Sequence, residues 1–170
     1  MATTPERPLL AADVVILARE ADSLQVLLVR RRYPPFAGRW AIPGGLVEAG
    51  EPIMAAARRE LWEETGLCGG RLYEFGAFGD PERDPRGRVV SIAYLALVDK
   101  KQVRPRAGDD AAAVKWFSFL HPPALAFDHR LLLRRARDRL QELCRLEPRI
   151  RRRVPPRFFS ARGRPGKNAV

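Results

Sequence analysis

Apolar positions along this chain fall into short runs whose period changes several times. Asp13–Ala18 (DVVILA) and Gln25–Arg30 (QVLLVR) are rich in β-branched and aliphatic residues, and the polar turn around Asp22 and Ser23 predicts a hairpin between them. Tyr33–Arg39 (YPPFAGR) reads as a loop, and Trp40–Pro43 as a short strand running into Gly44 and Gly45. From Pro52 the period becomes helical. Proline suits the first turn, where its missing N–H is no loss. Ile53, Ala57 and Leu61 recur every four residues, and Gly66 supplies a stop. The spacing predicts a helix over 52–65. Strands are expected at Leu72–Gly79, Val89–Val98 and Val114–Phe117. A second helix should start from a cap at Asp128 and run to Leu146, with Leu132, Ala136, Leu140 and Leu143 on one stripe. No internal repeat is visible. The alternation predicts a mixed sheet flanked by helices, an α/β sandwich.

The polar face of the first helix carries the candidate chemistry. Glu60 lies three residues from Glu63 and four from Glu64, so three carboxylates share one face, with no basic residue between Glu60 and Glu64. A like-charged pair at 4 Å costs ~1 kcal/mol in water and ~4 kcal/mol at an effective dielectric of 20. A solvated acidic face is the ordinary reading of such a cluster. Next to a glycine loop, a hard divalent cation held by oxygen ligands, magnesium or manganese, accounts for it better. Arg59 has two readings. It pairs with Glu63 at i,i+4 for roughly 0.2–0.5 kcal/mol, or its planar fork holds a metal-ligating carboxylate in place.

Residues 45–67 read GLVEAGEPIMAAARRELWEETGL. Gly45, Glu51, Arg59-Glu60-Leu61, Glu63-Glu64 and Gly66-Leu67 fall on the spacing G-x(5)-E-x(7)-R-E-U-x-E-E-x-G-U, with U aliphatic, and every fixed position is met. The chain therefore resembles the Nudix hydrolases. That resemblance implies a Nudix-type α/β/α sandwich with a mixed β-sheet, and a phosphoanhydride-cleaving enzyme that uses Mg2+, with Mn2+ as a substitute. It also implies a metal-ligand set of the Gly44 carbonyl, Glu60, Glu63 and Glu64, with Arg59 holding a ligand and Glu51 either supporting the set beside it or serving as an auxiliary ligand. The implied reaction is in-line attack of a metal-activated water on phosphorus. Its base is Glu63 or an acid of the loop before the last strand, Asp109 or Asp110, and those two read equally well as an exposed turn.

Outside that box, GDPERDPRGRVVSIAYLALV (79–98) and DDAAAVKWFSFLHPPALAFDHRLLL (109–133) look like the ADP-ribose pyrophosphatase branch of the family. The resemblance then implies conversion of ADP-ribose to AMP and ribose 5-phosphate. Arg39, Arg83 and Arg86 become candidates to grip phosphates through bidentate, charge-assisted hydrogen bonds, whereas Arg88 reads as an exposed charge of a turn. Tyr33, Phe36 and Phe78 could stack on adenine, although aromatic residues among so many strands more often pack. Two other functions compete. One is a MutT-like pyrophosphohydrolase of nucleoside triphosphates. The other is a ligand-sensing regulator of the kind that fuses this domain to a winged helix, in which the box is often degraded. Here the box is intact, and 23 residues after Glu147 are too few for a winged helix.

Composition narrows the setting. At 170 residues one domain is expected. The two cysteines, Cys68 and Cys144, have no metal-binding spacing and suit free thiols in a reducing cytoplasm. Two histidines, His121 and His129, are too few for a His-rich zinc centre and read as structural. The N-terminus has no signal pattern, and no apolar run reaches the ~18 residues of a membrane span. A cytoplasmic protein with a small nucleotide partner and no membrane is expected. Nucleic acid is not expected as a partner, and a homodimer is left open. Of the net charge of +11, eight positive charges follow Glu147 with no acid among them, leaving +3 for residues 1–147. This divides the chain into a Nudix hydrolase domain, 1–147, and a basic, flexible tail, 148–170. In that tail Ile150, Val154, Phe158 and Phe159 are too few to offset the entropy of ordering unless the segment docks, Phe158 and Phe159 on the body or on a second subunit being the alternative.

Overall fold

Both faces of the central strand are apolar, and that decides the architecture. The computed structural model describes residues 6–67, 70–103 and 111–160. In it, β1 (Leu9–Glu20) lies between β2 (Ser23–Arg31), antiparallel to it, and β6 (Val89–Val98), parallel to it from Leu9↔Val89 to Ala18↔Val98. β5 (Leu72–Phe78) continues the sheet antiparallel to β6, and β7 (Ala111–Ser118) pairs antiparallel with β2. The sheet is mixed, as expected. The β1–β2 hairpin turns at Ala21–Asp22, one position earlier than the sequence suggested, with Glu20 opposite Ser23.

Alternation along the strands sends neighbouring residues to opposite faces. Ala12, Val14 and Ile16 of β1, with Tyr94 and Ala96 of β6, meet Ala56, Ala57 and Leu61 of α1 (Ile53–Thr65). Val15, Leu17, Ala93 and Leu95 face the other way, toward Leu132, Ala136, Leu140 and Leu143 of α2 (His129–Leu146). Leu132 and Leu140 are fully enclosed, and each contributes about 2 kcal/mol by burial. The stripe on α1 is wider than the four-residue repeat, because Ala56 joins Ala57 in the interface. α1 ends as predicted, with Gly66 in the left-handed region (φ 69°) and its N–H donating to the Trp62 carbonyl at 2.7 Å. No helix among the described residues is long and apolar enough to cross a membrane.

β1 and β2 are paired only near their turn and then splay apart. The gap is filled by one segment. β3 (Trp40–Ala41) pairs with β2 through Val29↔Ala41 and Arg30↔Trp40, while β4 (Gly44–Leu46) pairs with β1 through Ala11↔Leu46 and Asp13↔Gly44. The two glycines before α1 are thus wedged in a fork of the sheet.

The expected flexible tail is not what the described part of it shows. α3 (Pro148–Arg151) and α4 (Arg157–Ser160) fold back on the α2 side. Ile150, Val154 and Phe158 are each no more than 3% exposed and join the same core as Leu132 and Leu140. The Phe158 ring stacks at 6.1 Å on Phe119, and Arg19 donates to the Arg152 carbonyl at 3.3 Å. Three apolar side chains suffice because each enters an existing core. The expectation of a tail from 148 therefore fails for residues 148–160, and the basic stretch after them lies outside the described residues.

Candidate active site

Glu60, near the middle of α1, points toward the fork. A Cβ on Gly45 would lie 2.1 Å from Oε1 of Glu60, and one on Gly44 would lie 2.5 Å from both the Ala12 carbonyl and Oδ1 of Asp13. Only glycine lets this backbone come so close. Burial raises the Glu60 carboxyl above its ordinary range, with Glu63 and Asp13 adding to the effect and Arg59 opposing it. Asp13 is buried behind Gly44, takes a hydrogen bond from the Ser91 hydroxyl, and is pushed up to about 6 by desolvation.

Arg59 is the hub of the acidic face. Its Nε and Nη2 donate to the two oxygens of Glu51 at 3.0 and 3.1 Å, Nη1 to Glu60 at 2.7 Å and Glu63 at 3.4 Å, and Nη2 to the Leu46 carbonyl at 3.1 Å. Arg59 thus makes the i,i+4 pair with Glu63 and at the same time holds the Glu60 carboxylate. Glu51 also accepts from the Glu48 N–H, so it fastens the loop before α1 to the hub. The Arg59 hydrogen bond is the main reason that its carboxyl is held below the usual range.

Among the described residues, no three acidic, histidine or cysteine side chains are gathered tightly enough to hold a cation as they stand. Arg59 neutralises Glu60 and Glu63 instead. The surroundings nevertheless fit a hard cation. The donors are all oxygens, Glu60, Glu63 and Glu64 line one cleft with Gly44 and Gly45, and the missing side chain at Gly45 lets the Glu60 carboxylate lie beside main chain.

That cleft, of about 920 Å3, runs from the carboxylates of α1 to a second group of charges. Arg83, only 5% exposed at its side chain, donates from Nε and Nη2 to both oxygens of Asp128 at 3.0 and 2.8 Å, and its Nη2 lies 3.7 Å from Asp13. Asp128 therefore does not cap α2 with its side chain, as the sequence suggested; its carboxylate is taken by Arg83. Asp84 receives the Arg86 fork at 3.0 and 2.7 Å. The guanidinium groups of Arg31 and Arg86 stand 4.9 and 5.7 Å from the Phe127 ring centre.

The structure brings Glu60, Glu63, Glu64, Arg59, Gly44, Arg83 and Arg86 to this one cleft. Arg83 differs from the expectation of a free phosphate ligand, because Asp128 engages most of its fork. Arg39 is not brought there: it is exposed, with its guanidinium 6.0 Å from the Phe36 ring. Arg88 pairs loosely with Glu6 at 3.7 Å. Of the aromatic candidates, Tyr33 lines the cleft, Phe36 packs edge-on to Phe127 at 4.9 Å, and Phe78 packs against Phe75 on the α2 side. Asp109, Asp110 and Cys68 lie outside the described residues. Sequence reasoning passed over Asp13, Asp84 and Phe127, and it read His129 as merely structural. Asp13 had a signal, as an acid inside an otherwise apolar strand; Phe127 and Asp84 had none without their partners.

Comparison with known proteins agrees with this geometry. The NUDIX domain family model matches residues 7–136. An ADP-ribose pyrophosphatase of Methanocaldococcus jannaschii is 40% identical over 127 residues, covering 75% of this chain and 72% of that protein. An ADPR-responsive transcriptional repressor of Acinetobacter baylyi is 34% identical over 155 residues, covering 89% of this chain but 62% of the repressor. Among solved structures, the NUDIX domain of Shewanella oneidensis NrtR complexed with ADP ribose superposes with a TM-score of 0.71 at 33% identity, over 79% of this chain and 90% of that one. Because the match runs through the fork, the acidic helix and into the first turns of α2, the chain belongs to the Nudix family.

Proposed function

We propose that this protein hydrolyses a nucleoside diphosphate derivative, ADP-ribose, to AMP and ribose 5-phosphate with the help of Mg2+ or Mn2+. The observation that carries this reading is the Glu60 carboxylate seated against the bare backbone of Gly45, at the head of a cleft that Glu63 and Glu64 also line. The relatives that act on or bind ADP-ribose support the choice of substrate. A divalent cation held by the Gly44 carbonyl, Glu60, Glu63 and Glu64 would neutralise the diphosphate and make a bound water more acidic. The chain's own residues do the rest. Arg59 keeps Glu60 and Glu63 oriented through its fork, and Glu51 anchors Arg59. Glu63, exposed beside the cleft, takes the proton from the attacking water, with Asp110 the alternative base. Arg86, braced by Asp84, meets a phosphate oxygen. The buried free thiol of Cys144 supports a reducing, cytoplasmic setting.

A panel of ADP-ribose, ATP, dGTP and diadenosine polyphosphates with Mg2+, read by product release, tests this. ADP-ribose should give the highest kcat/KM, and a triphosphate as the best substrate would overturn the substrate while leaving the family intact. The likeness to a repressor favours a second reading, a ligand sensor that keeps the domain for binding. Absence of turnover on every diphosphate, with tight ADP-ribose binding, would select it.

A further inference from the structure

His129 is the first residue of α2, is 5% exposed and lines the cleft. Its Nδ1 accepts the Ile42 N–H at 2.8 Å. A backbone N–H can only donate, so Nδ1 carries no proton, and a neutral ring must then carry its proton on Nε2. Among the described residues no hydrogen bond takes that Nε2–H. Nor is the atom one of the enclosed polar atoms without a partner. It therefore keeps access to the cavity that the residue lines.

The surroundings hold the ring still. Phe127 lies 5.2 Å away by ring centres, and the preceding residue, Asp128, is clamped by Arg83. Ile42 belongs to the segment that fills the sheet fork, so the ring joins that segment to the start of α2. A buried, immobile N–H facing a polar cleft, with Arg31 and Arg86 nearby, is a donor waiting for an acceptor.

We propose that His129 is a substrate-binding residue whose Nε2–H donates a hydrogen bond to an oxygen of the ligand in this cleft. The inference rests on reading the cleft as the site of a nucleoside diphosphate derivative, but not on which derivative. Burial lowers the imidazole to about 3, so the ring remains a neutral donor across the working pH range. Such a group supplies a hydrogen bond without placing charge beside the carboxylates that would hold metal.

The chain has only two histidines, and the exposed His121 serves as an internal reference. Protein labelled with 15N-histidine is titrated with ADP-ribose, ATP, AMP and ribose 5-phosphate in the presence of a chelator, with Trp62 fluorescence at the cleft reporting occupancy. His129 should show a single tautomer with protonated Nε2. On ligand binding its Nε2 and attached proton should shift downfield, with Nδ1 and His121 unmoved. The response to AMP or to ribose 5-phosphate identifies the half of the ligand that supplies the oxygen. A shift with ATP but none with ADP-ribose would sink the proposed substrate and keep the role of His129. A cleft filled by ligand with Nε2 unchanged, or a proton found on Nδ1, would overturn it.

Discussion

The Glu60 carboxylate occupies the space that a side chain at Gly45 would need, with Oε1 2.1 Å and Cδ 2.7 Å from where a Cβ would sit. The atoms in the way are the far end of a flexible side chain, so the clash should move the carboxylate and leave the fold alone. Gly45→Ala should therefore lower kcat by about 100-fold, the scale of a 1 Å misplacement in a catalytic site. Its melting temperature should stay near that of the wild type. An active Gly45→Ala protein would show that Glu60 is not needed at this position.

Glu60→Gln and Glu64→Gln should each reduce turnover by about 100-fold or more, exceeding the ~10–100-fold typical of groups that only orient a ligand. Stability should hold or rise, since burial and the neighbouring Glu63 and Asp13 already disfavour a charge at Glu60. Rates at saturating Mg2+, with thermal melts beside them, check both halves.

Three arginines that look alike in sequence should behave differently. Arg83→Ala leaves Asp128 and Asp13 without their partner in a buried place, and should cost about 3–5 kcal/mol of stability. Arg86→Lys keeps a charge but gives up the fork, and should raise KM about tenfold with a small change in melting temperature. Arg39→Ala should alter neither. Urea melts and Michaelis curves on the three variants separate these outcomes.

Removing everything after Glu147 should destabilise the protein markedly, because Ile150, Val154 and Phe158 leave the core. Phe158→Ala alone should cost about 3–5 kcal/mol. Equal melting temperatures for the full chain and the truncated one would return these residues to the status of an appendage.

Stability should also report the buried imidazole. His129 ionises near 6.5 when unfolded and at about 3 when folded. Its contribution is thus complete above pH 6.5 and is lost as pH falls toward 3. Between pH 7 and 5 the loss from this group is about 2 kcal/mol. Asp13, raised to about 6, works in the opposite sense over part of the same window. The check is therefore the difference in unfolding free energy between wild type and His129→Gln, which should shrink by about that amount from pH 7 to 5.

The helix of the acidic box was legible because its period, its glycine stop and its carboxylate spacing are all local in sequence. Most strands were legible for the same reason, to within a few residues, but β4 falls where the two glycines read as a loop. What escaped depends on partners far along the chain. Arg83 shows a charge in sequence but not the Asp128 that consumes most of its fork. The stretch after Glu147 looks too polar to fold, since Phe119, the ring that receives Phe158, lies in a different element. His129 looked structural, and its bond to Ile42 bears that out; the direction of its other nitrogen could be known only once the cleft was in view.

The fork in the sheet has a consequence for timing. Residues 40–46 are tied by main-chain hydrogen bonds to β2 on one side and β1 on the other. If the proposed cation takes the Gly44 carbonyl, that carbonyl is fixed before any ligand arrives, so its entropy is lost during folding and not during each encounter. Amide protons of this segment should exchange with solvent as slowly as those of the central strands, while those of Phe36 and Ala37 in the exposed loop just before it exchange faster.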